Sequence, residues 1–301
     1  MEEAMNKEVL NLTYYKGEDL YSDGDVEDKI LEIFQSEEDI QERLMKDDDW
    51  AILYHLSPIR QNILEWYDFD KEASLLEIGS GCGAITGLFC EKVKRVVGIE
   101  LSKRRSTINA KRNEMYNNLE IMVGNFEDIE LTEKFDYVTL IGVLEYADSY
   151  INAKAPYEEM LKRVKKFLKP NGTLIIAIEN KFGLKYFAGA MEDHTGNLFD
   201  GIENYKNVSS VRTFSKNEIE SLLQRAGYQG NDFYYPIPDY KLPNAVYAKN
   251  YLPKAGDLRN MSIAYDRARF KLFDEDIVYD QLCNDQKFEY FSNSFLIFAK
   301  A

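Results

Sequence analysis

Cysteine is almost absent from this 301-residue chain. Cys82, Cys90 and Cys283 stand apart, with no CxxC pair. Three scattered thiols do not make a disulfide framework and point to a reducing compartment. Histidine is scarcer still: only His55 and His194 occur, which speaks against a histidine-rich centre, and no metal ligand set is expected. No apolar run approaches the roughly 20 residues a membrane-spanning helix needs. The opening stretch, MEEAMNKEVL, is acidic and lacks the basic and apolar segments of a secretion signal. The expectation is a soluble cytoplasmic protein. Positive charge is in deficit, with 37 Lys and Arg against 52 Asp and Glu, a formal net charge of −15. Phosphate contacts carry much of the affinity for nucleic acid, so this balance disfavours such a partner. No internal repeat or low-complexity tract is present.

What is there is a glycine turn. Leu75-Leu76-Glu77-Ile78 is a short apolar run ending in an acid, followed by Gly79-Ser80-Gly81-Cys82-Gly83 and the start of a helical pattern at Ala84. A strand, a tight turn and a helix N-terminus are expected. Glycines there allow positive φ and let a ligand approach the main chain, and the helix start offers unpaired N–H groups. A nucleotide-like cofactor suits such a cradle.

The chain around the turn alternates strands and helices. Strands are expected at 74–79, 93–100, 119–123, 135–141 and 173–178, with a sixth at 232–235 and a last at 291–299. This pattern predicts a parallel sheet covered on both faces. Ahead of it, residues 1–24 are polar, with Tyr14, Tyr15 and Tyr21 interleaved, and read as a lid or a loose arm. Apolar residues at helical spacing from Asp25 to about Lys46 predict one amphipathic helix. Asp47-Asp48-Asp49 reads as a solvated turn or a helix start. Pro58 opens a further helix that leads into the first main strand, which brings Arg60 into consideration as a cofactor contact, against the simpler reading of a surface ion pair. Residues 1–70 are therefore set apart as a helical N-terminal extension from a domain at 71–301. Two irregular stretches, about 180–213 and 236–290, read as functional insertions. Between them Ser215-Lys-Asn-Glu218 has the form of a capping box opening a helix to about Arg225, stopped by Gly227.

The glycines alone do not choose a cofactor, because Gly79-x-Gly81-x-x-Ala84 also fits a dinucleotide fingerprint with Glu100 near the ribose acid. Three features favour S-adenosylmethionine over a nicotinamide dinucleotide. Glu77 suits a cationic ammonium better than a pyrophosphate. Asn125-Phe126-Glu127-Asp128 after the third strand offers a polar edge and an apolar face to an adenine. A lone C-terminal strand fits a sheet closed by an antiparallel hairpin.

On these residues the chain resembles the class I S-adenosylmethionine-dependent methyltransferases. The resemblance implies a Rossmann-like α/β fold: a seven-stranded, mostly parallel sheet with an antiparallel last strand, a helical N-terminal extension, and insertions after strands 5 and 6. It implies that Glu77, Gly79, Gly81 and Gly83 form the first motif, that Glu100 with Leu101 holds the ribose, that Asn125 and Phe126 contact the adenine, and that Gly142 and Leu144 complete the cofactor site. Asn125 stands where the family usually has an acid. The Lys169-Pro-Asn-Gly172 turn is also typical. A second resemblance is to methyltransferase modules of bacterial surface-polysaccharide gene clusters, sometimes fused to glycosyltransferases. It is carried by His55-Leu-Ser-Pro-Ile-Arg-Gln-Asn62, Glu192-Asp-His-Thr-Gly196 and Phe291-Ser-Asn-Ser-Phe295. It implies O-methyl transfer to a glycan or nucleotide-linked sugar in polysaccharide biosynthesis, and association with glycosyltransferases. The leading reading is O-methyl transfer to a small molecule or a glycan.

Acceptor-side residues are sought where strands end. Glu145 and Tyr146 follow the fourth strand, Glu179 and Asn180 the fifth, and Tyr205 lies in the first insertion. Asp193-His194 is the one place where a carboxylate adjoins a histidine. His194 is the candidate base, oriented by Asp193 or Glu192; the competing reading is a loop histidine with a structural hydrogen bond. Two other function classes remain open: a methyltransferase acting on protein or RNA, and a regulatory protein that binds S-adenosylmethionine without turnover. The position after the fourth strand, Gly142-Val-Leu-Glu145, lacks the Asn/Asp-Pro-Pro-aromatic signature of many amino-directed enzymes. Intact motif glycines stand against the regulatory reading.

Overall fold

A computed structural model describes residues 9–19, 24–36, 39–206, 208, 210–261 and 269–301. The chain separates into two compact units, residues 1–57 with 67–139, and residues 58–66 with 140–301.

The first unit contains β1 (Leu10–Asn11), α1 (Asp25–Gln35), α2 (Ile40–Lys46), α3 (Trp50–Leu56), β2 (Ser74–Ile78), α4 (Thr86–Lys92), β3 (Arg95–Glu100), α5 (Lys103–Arg112), β4 (Leu119–Val123) and most of β5 (Phe135–Ile141). Its strands run β1-β4-β3-β2-β5, and β1, β4, β3 and β2 pair in parallel. Leu75, Leu76, Val96, Ile121 and Val123 are almost wholly buried, which is why these strands read as continuous apolar runs. Ile30 and Ile33 of α1 pack with Ile52 and Leu56 of α3 and Ile108 of α5.

The single helix expected over 25–46 is two. Ser36 is extended (φ −84°, ψ 166°) and ends α1; Asp39 starts α2 by accepting from the backbone of Gln41 and Glu42. Asp49 does the same for α3 through Ala51, so the aspartate run is in part a helix start. The arm is anchored where it is described: β1 pairs with β4, and the Asp19 carboxylate accepts from Ser102 Oγ and from the N–H groups of Lys103 and Arg104 at the start of α5. Tyr21 lies outside the described residues.

The second unit begins with a tight 3-10 turn at Pro58–Ile63, shorter than the helix expected there, and has another at Leu144–Tyr146. It continues through α6 (Ala147–Tyr150), α7 (Pro156–Phe167), β6 (Leu168–Glu179), α8 (Leu184–Phe187), α9 (Lys216–Arg225), β7 (Asn231–Ile237), β8 (Ala245–Ala248), α10 (Glu275–Asn284), α11 (Phe288–Phe291) and β9 (Ser294–Lys300). Strand order is β6-β9-β7-β8, and all three pairings are antiparallel. The last strand is thus antiparallel, as expected. Leu174–Ile178 and Phe295–Ile297 are fully buried and fill the core. The capping box at Ser215 and Glu218 is formed, and Gly227 stands past the helix end with φ 88°.

The described residues hold nine strands rather than seven. The additions are the two-residue β1, too short to show a period, and β8, which forms inside the second insertion by pairing with Tyr234–Ile237.

Candidate active site

The glycine turn of the first unit is built by short-range contacts. Gly79, Gly81 and Gly83 have φ of 73°, 53° and 77°, which L side chains resist. Gly79 and Ser80 donate to the carbonyl of Ile99, and Gly83 to that of Ser80. A Cβ on Gly83 would meet Asn109 Oδ1 at 2.4 Å and Asn113 Nδ2 at 2.7 Å, whereas a Cβ on Gly81 would meet nothing within 4 Å. Gly83 is thus small for packing, and Gly81 leaves the main chain open.

Two buried carboxylates flank the turn. Glu77 accepts from Thr86 Oγ1 at 2.6 Å. Thr86 is held by Asn109 Nδ2 at 3.1 Å, and Asn109 by Asn113 Nδ2 at 2.8 Å. Glu100 accepts from the N–H of Gly81 at 2.8 Å and of Ser102 at 3.0 Å. Burial pushes its carboxyl above the ordinary carboxylate range, against the pull of Arg105 and these N–H groups. Ser80 Oγ is buried without a hydrogen-bond partner. Phe126 is buried beside β4, and Asn125 Oδ1 accepts from the N–H of Glu127 at 3.0 Å. Leu101 is half-buried after Glu100. An open turn between two carboxylates suits a ligand bearing hydroxyls and a cationic centre; a pyrophosphate would face like charge.

The second unit gathers residues from distant parts of the sequence. Glu145 is 1% exposed and Glu179 0%. His194 Nε2 lies 3.6 Å from Glu145 Oε1 and 3.9 Å from Glu179 Oε2. Its Nδ1 is 3.0 Å from Glu192 Oε1. Glu192, rather than Asp193, orients the imidazole. Glu192 also accepts from the N–H groups of His194 and Thr195 and from the Tyr205 hydroxyl, which lies 2.6 Å from Thr213 Oγ1. The Tyr146 ring meets the His194 ring edge-on at 5.3 Å.

Asp193 faces elsewhere. It pairs with Lys185 Nζ at 2.8 Å and Lys241 Nζ at 2.5 Å, and accepts from the Tyr186 hydroxyl. Lys241 Nζ also stands 2.7 Å from Glu179 Oε1. Lys185 and Lys241 carry no motif; only folding brings them together here. Arg60 donates to the Lys241 carbonyl at 3.1 Å and so fixes that segment from the 3-10 turn. Asn180 is spent on structure: its amide donates to the carbonyls of Tyr290 and Ser292 and accepts from Phe182. Gly142 (φ 68°) donates to the Ala177 carbonyl and has room for no side chain beside the Tyr240 hydroxyl. Leu144 is fully buried.

Burial pulls His194 down, but Glu179, Glu145 and Glu192 outweigh it and hold the imidazole well above its usual range. Burial raises Glu145, opposed by His194. Burial likewise raises Asp193, but Lys185 and Lys241 overcome it and hold the carboxyl well below its usual range. Glu145 Oε2 and Glu179 Oε2 are buried and accept no hydrogen bond. Carboxylate and imidazole atoms of Glu145, Glu179 and His194 all lie within 4.8 Å of one another. The cluster holds acceptors in want of a donor or a cation.

An α/β unit with a glycine turn between carboxylates, and a unit closed by an antiparallel last strand, define a class I methyltransferase of Rossmann-like fold. The sequence profile of the family described as "Methyltransferase domain" matches residues 69–227, more than half of the chain; the chain belongs to this family, and its cofactor is S-adenosylmethionine. It is similar to the ubiquinone biosynthesis O-methyltransferase of Pelagibacter ubique, 27% identical over 43% of this chain and 56% of the relative. It is also similar to the ribosomal RNA small subunit methyltransferase A of Alkaliphilus metalliredigens, 24% identical over 50% of this chain and 51% of the relative. The chain thus spans about half the length of these curated relatives. In fold it is similar to phosphoethanolamine N-methyltransferase 1 of Haemonchus contortus, solved with phosphoethanolamine and S-adenosylhomocysteine. The TM-score is 0.50 and the identity 13%, over 92% of this chain and 48% of that one. No helix among the described residues is long and apolar enough to cross a membrane.

Proposed function

We propose that the chain transfers a methyl group from S-adenosylmethionine to a hydroxyl of a polar small molecule or sugar. The observation that carries this reading is the pair of buried, unpartnered oxygens, Glu145 Oε2 and Glu179 Oε2. Such atoms cost free energy until a donor reaches them, and a hydroxyl is a donor that becomes a nucleophile when it gives up its proton. The cofactor supplies an electrophilic methyl on sulfur. The residues of the chain do the rest: Glu77, Gly81 and Glu100 hold the cofactor, and Glu145 and Glu179 hold and deprotonate the hydroxyl. In the free protein His194 lies between Glu145, Glu179 and Glu192 and is their positive partner, rather than the base expected from the sequence. Glu192, Tyr205 and Thr213 keep it in place, and Asp193 orders Lys185 and Lys241 behind Glu179.

Labelled-methyl transfer from S-adenosylmethionine into a fractionated cell extract tests this reading. Label in small polar metabolites or glycans is expected. Label confined to RNA or protein would replace it with a macromolecular acceptor, an outcome the ribosomal RNA methyltransferase relative puts in the same assay despite the acidic charge balance. Label in glycan fractions would extend the reading to polysaccharide biosynthesis and to work beside glycosyltransferases. Binding of S-adenosylmethionine with no transfer into any fraction would favour the regulatory reading.

A further inference from the structure

We propose that Glu145, Glu179 and His194 form a binding site for one divalent transition-metal ion. The role given to the ion below rests on the reading of this cluster as the acceptor site. The ion-binding itself does not.

Three independent features support the site. The first is spacing. With metal–ligand bonds of about 2.1 Å, neighbouring donors stand roughly 3.0 Å apart around an octahedral ion and roughly 3.4 Å apart around a tetrahedral one, and opposite donors about 4.2 Å. His194 Nε2 is 3.6 Å from Glu145 Oε1 and 3.9 Å from Glu179 Oε2, so small side-chain adjustments bring all three onto one ion. The second is unmet bonding capacity: Glu145 and Glu179 are 1% and 0% exposed, and each has an oxygen without a hydrogen-bond partner. The third is the support behind the imidazole. Nδ1 faces Glu192 Oε1 at 3.0 Å, and Glu192 is itself fixed by two backbone N–H groups and the Tyr205 hydroxyl. A carboxylate on Nδ1 selects the tautomer that turns the Nε2 lone pair toward a metal.

Charge points the same way. Among the described residues, the carboxylates of Glu145, Glu179, Glu192, Asp193 and Asp239 share the ammonium groups of Lys185 and Lys241 and the His194 imidazole. One imidazole with two carboxylates suits manganese, iron or zinc better than magnesium or calcium, which favour all-oxygen sites. Three protein donors leave positions open on an octahedral ion, enough for two adjacent oxygens of the acceptor. The substrate class is therefore narrowed to molecules with neighbouring hydroxyls, such as a sugar diol. Near the ion a hydroxyl loses its proton more readily. The O–H bond breaks and the proton passes to the free oxygen of Glu145. The oxygen bonds to the methyl carbon as the carbon–sulfur bond breaks, and S-adenosylhomocysteine leaves.

The test is titration of the chelator-stripped full chain with manganese(II), followed by calorimetry and electron paramagnetic resonance. One saturable site is expected, with a nitrogen coupling from His194 in the pulsed spectrum. His194→Ala loses that coupling, Glu145→Gln and Glu179→Gln lose the saturable site, and Glu192→Gln weakens binding by roughly 10–100-fold. Asp280→Asn, which alters an ion pair with Arg259 remote from the cluster in sequence, leaves binding unchanged. Zinc(II) is expected to displace manganese(II). The wild-type spectrum decides the matter even if a variant fails to fold. Weak binding at many sites, or a saturable site without a nitrogen coupling, overturns the proposal. S-adenosylhomocysteine binding and methyl transfer are measured on the same stripped protein. If both persist without any manganese site, the metal proposal alone falls. If S-adenosylhomocysteine does not bind, the methyltransferase reading falls.

Discussion

The glycine turn of the first unit and the histidine cluster of the second do their work by opposite constructions. The turn is contiguous: five residues reverse the chain at the end of β2, and their partners, Ile99, Glu100 and Asn109, lie on the next strand and helix. Its demands are on the backbone, so glycine is the main ingredient. The cluster is assembled from residues 145, 179, 185, 192–194, 205, 239 and 241, and its demands are on charge. Five carboxylates, two lysines and an imidazole are taken out of water together. Such a group survives only while each member keeps its partners. A turn tolerates the loss of a side chain; a buried ionic network does not.

Five substitutions break or sharpen this contrast. The largest effect is expected for Asp193→Asn, which leaves the buried Lys185 and Lys241 without their shared carboxylate. A loss of about 3–5 kcal/mol is expected by chemical denaturation. A loss below about 1 kcal/mol would show that the lysines find other partners. Glu145→Gln comes next. It keeps the shape of the cluster while removing an acceptor charge, and kcat is expected to fall roughly a hundredfold with S-adenosylhomocysteine affinity unchanged in calorimetry. A parallel loss of affinity would merge the two functions the contrast keeps apart.

Gly83→Ala is expected to cost about 1–3 kcal/mol by thermal unfolding, because its Cβ collides with Asn109 and Asn113. Gly81→Ala has no such collision and should cost less stability while weakening S-adenosylhomocysteine binding. Equal stability losses would mean that left-handed strain alone governs the turn.

The smallest effect concerns pH. Glu100 is raised by burial, so it takes up a proton at a higher pH than an exposed glutamate, and the protonated form is a poorer acceptor for ribose hydroxyls. Affinity for S-adenosylhomocysteine should therefore weaken a few-fold as pH falls through this raised value, and Glu100→Gln should flatten the profile. Stability of the free protein carries the opposite sign at this group: protonation relieves a desolvated charge, so its contribution rises as pH falls from the raised value toward the unfolded one. A pH-independent affinity would remove Glu100 from the cofactor site.

How much was legible follows from range. The strand and glycine turn from Glu77 to Gly83 could be read because strand periodicity and glycine spacing are local. The capping box of Ser215 and Glu218 was legible for the same reason. The break at Ser36 was not, since the apolar spacing of α1 and α2 stays in phase across it. Nor were β1 and β8, which exist through pairing with β4 and β7. In the cluster, the sequence singled out His194, Glu145 and Glu179 separately. It left Asp193 and Glu192 both open as the partner of His194, because either lies close in sequence. In the folded chain Asp193 faces two lysines, and Glu192, two residues from the histidine, reaches Nδ1. Tyr205 was placed with the substrate and stands instead behind Glu192.

The amino-acid sequence by itself determined the methyltransferase family, the cofactor and the glycine turn, because these depend on backbone conformation and short-range periodicity. Only the tertiary structure decided which charged side chains share one buried volume. That depends on burial and on pairings between residues as far apart in sequence as Glu179 and Lys241, where desolvation makes every partner count and spacing along the chain carries no record of it.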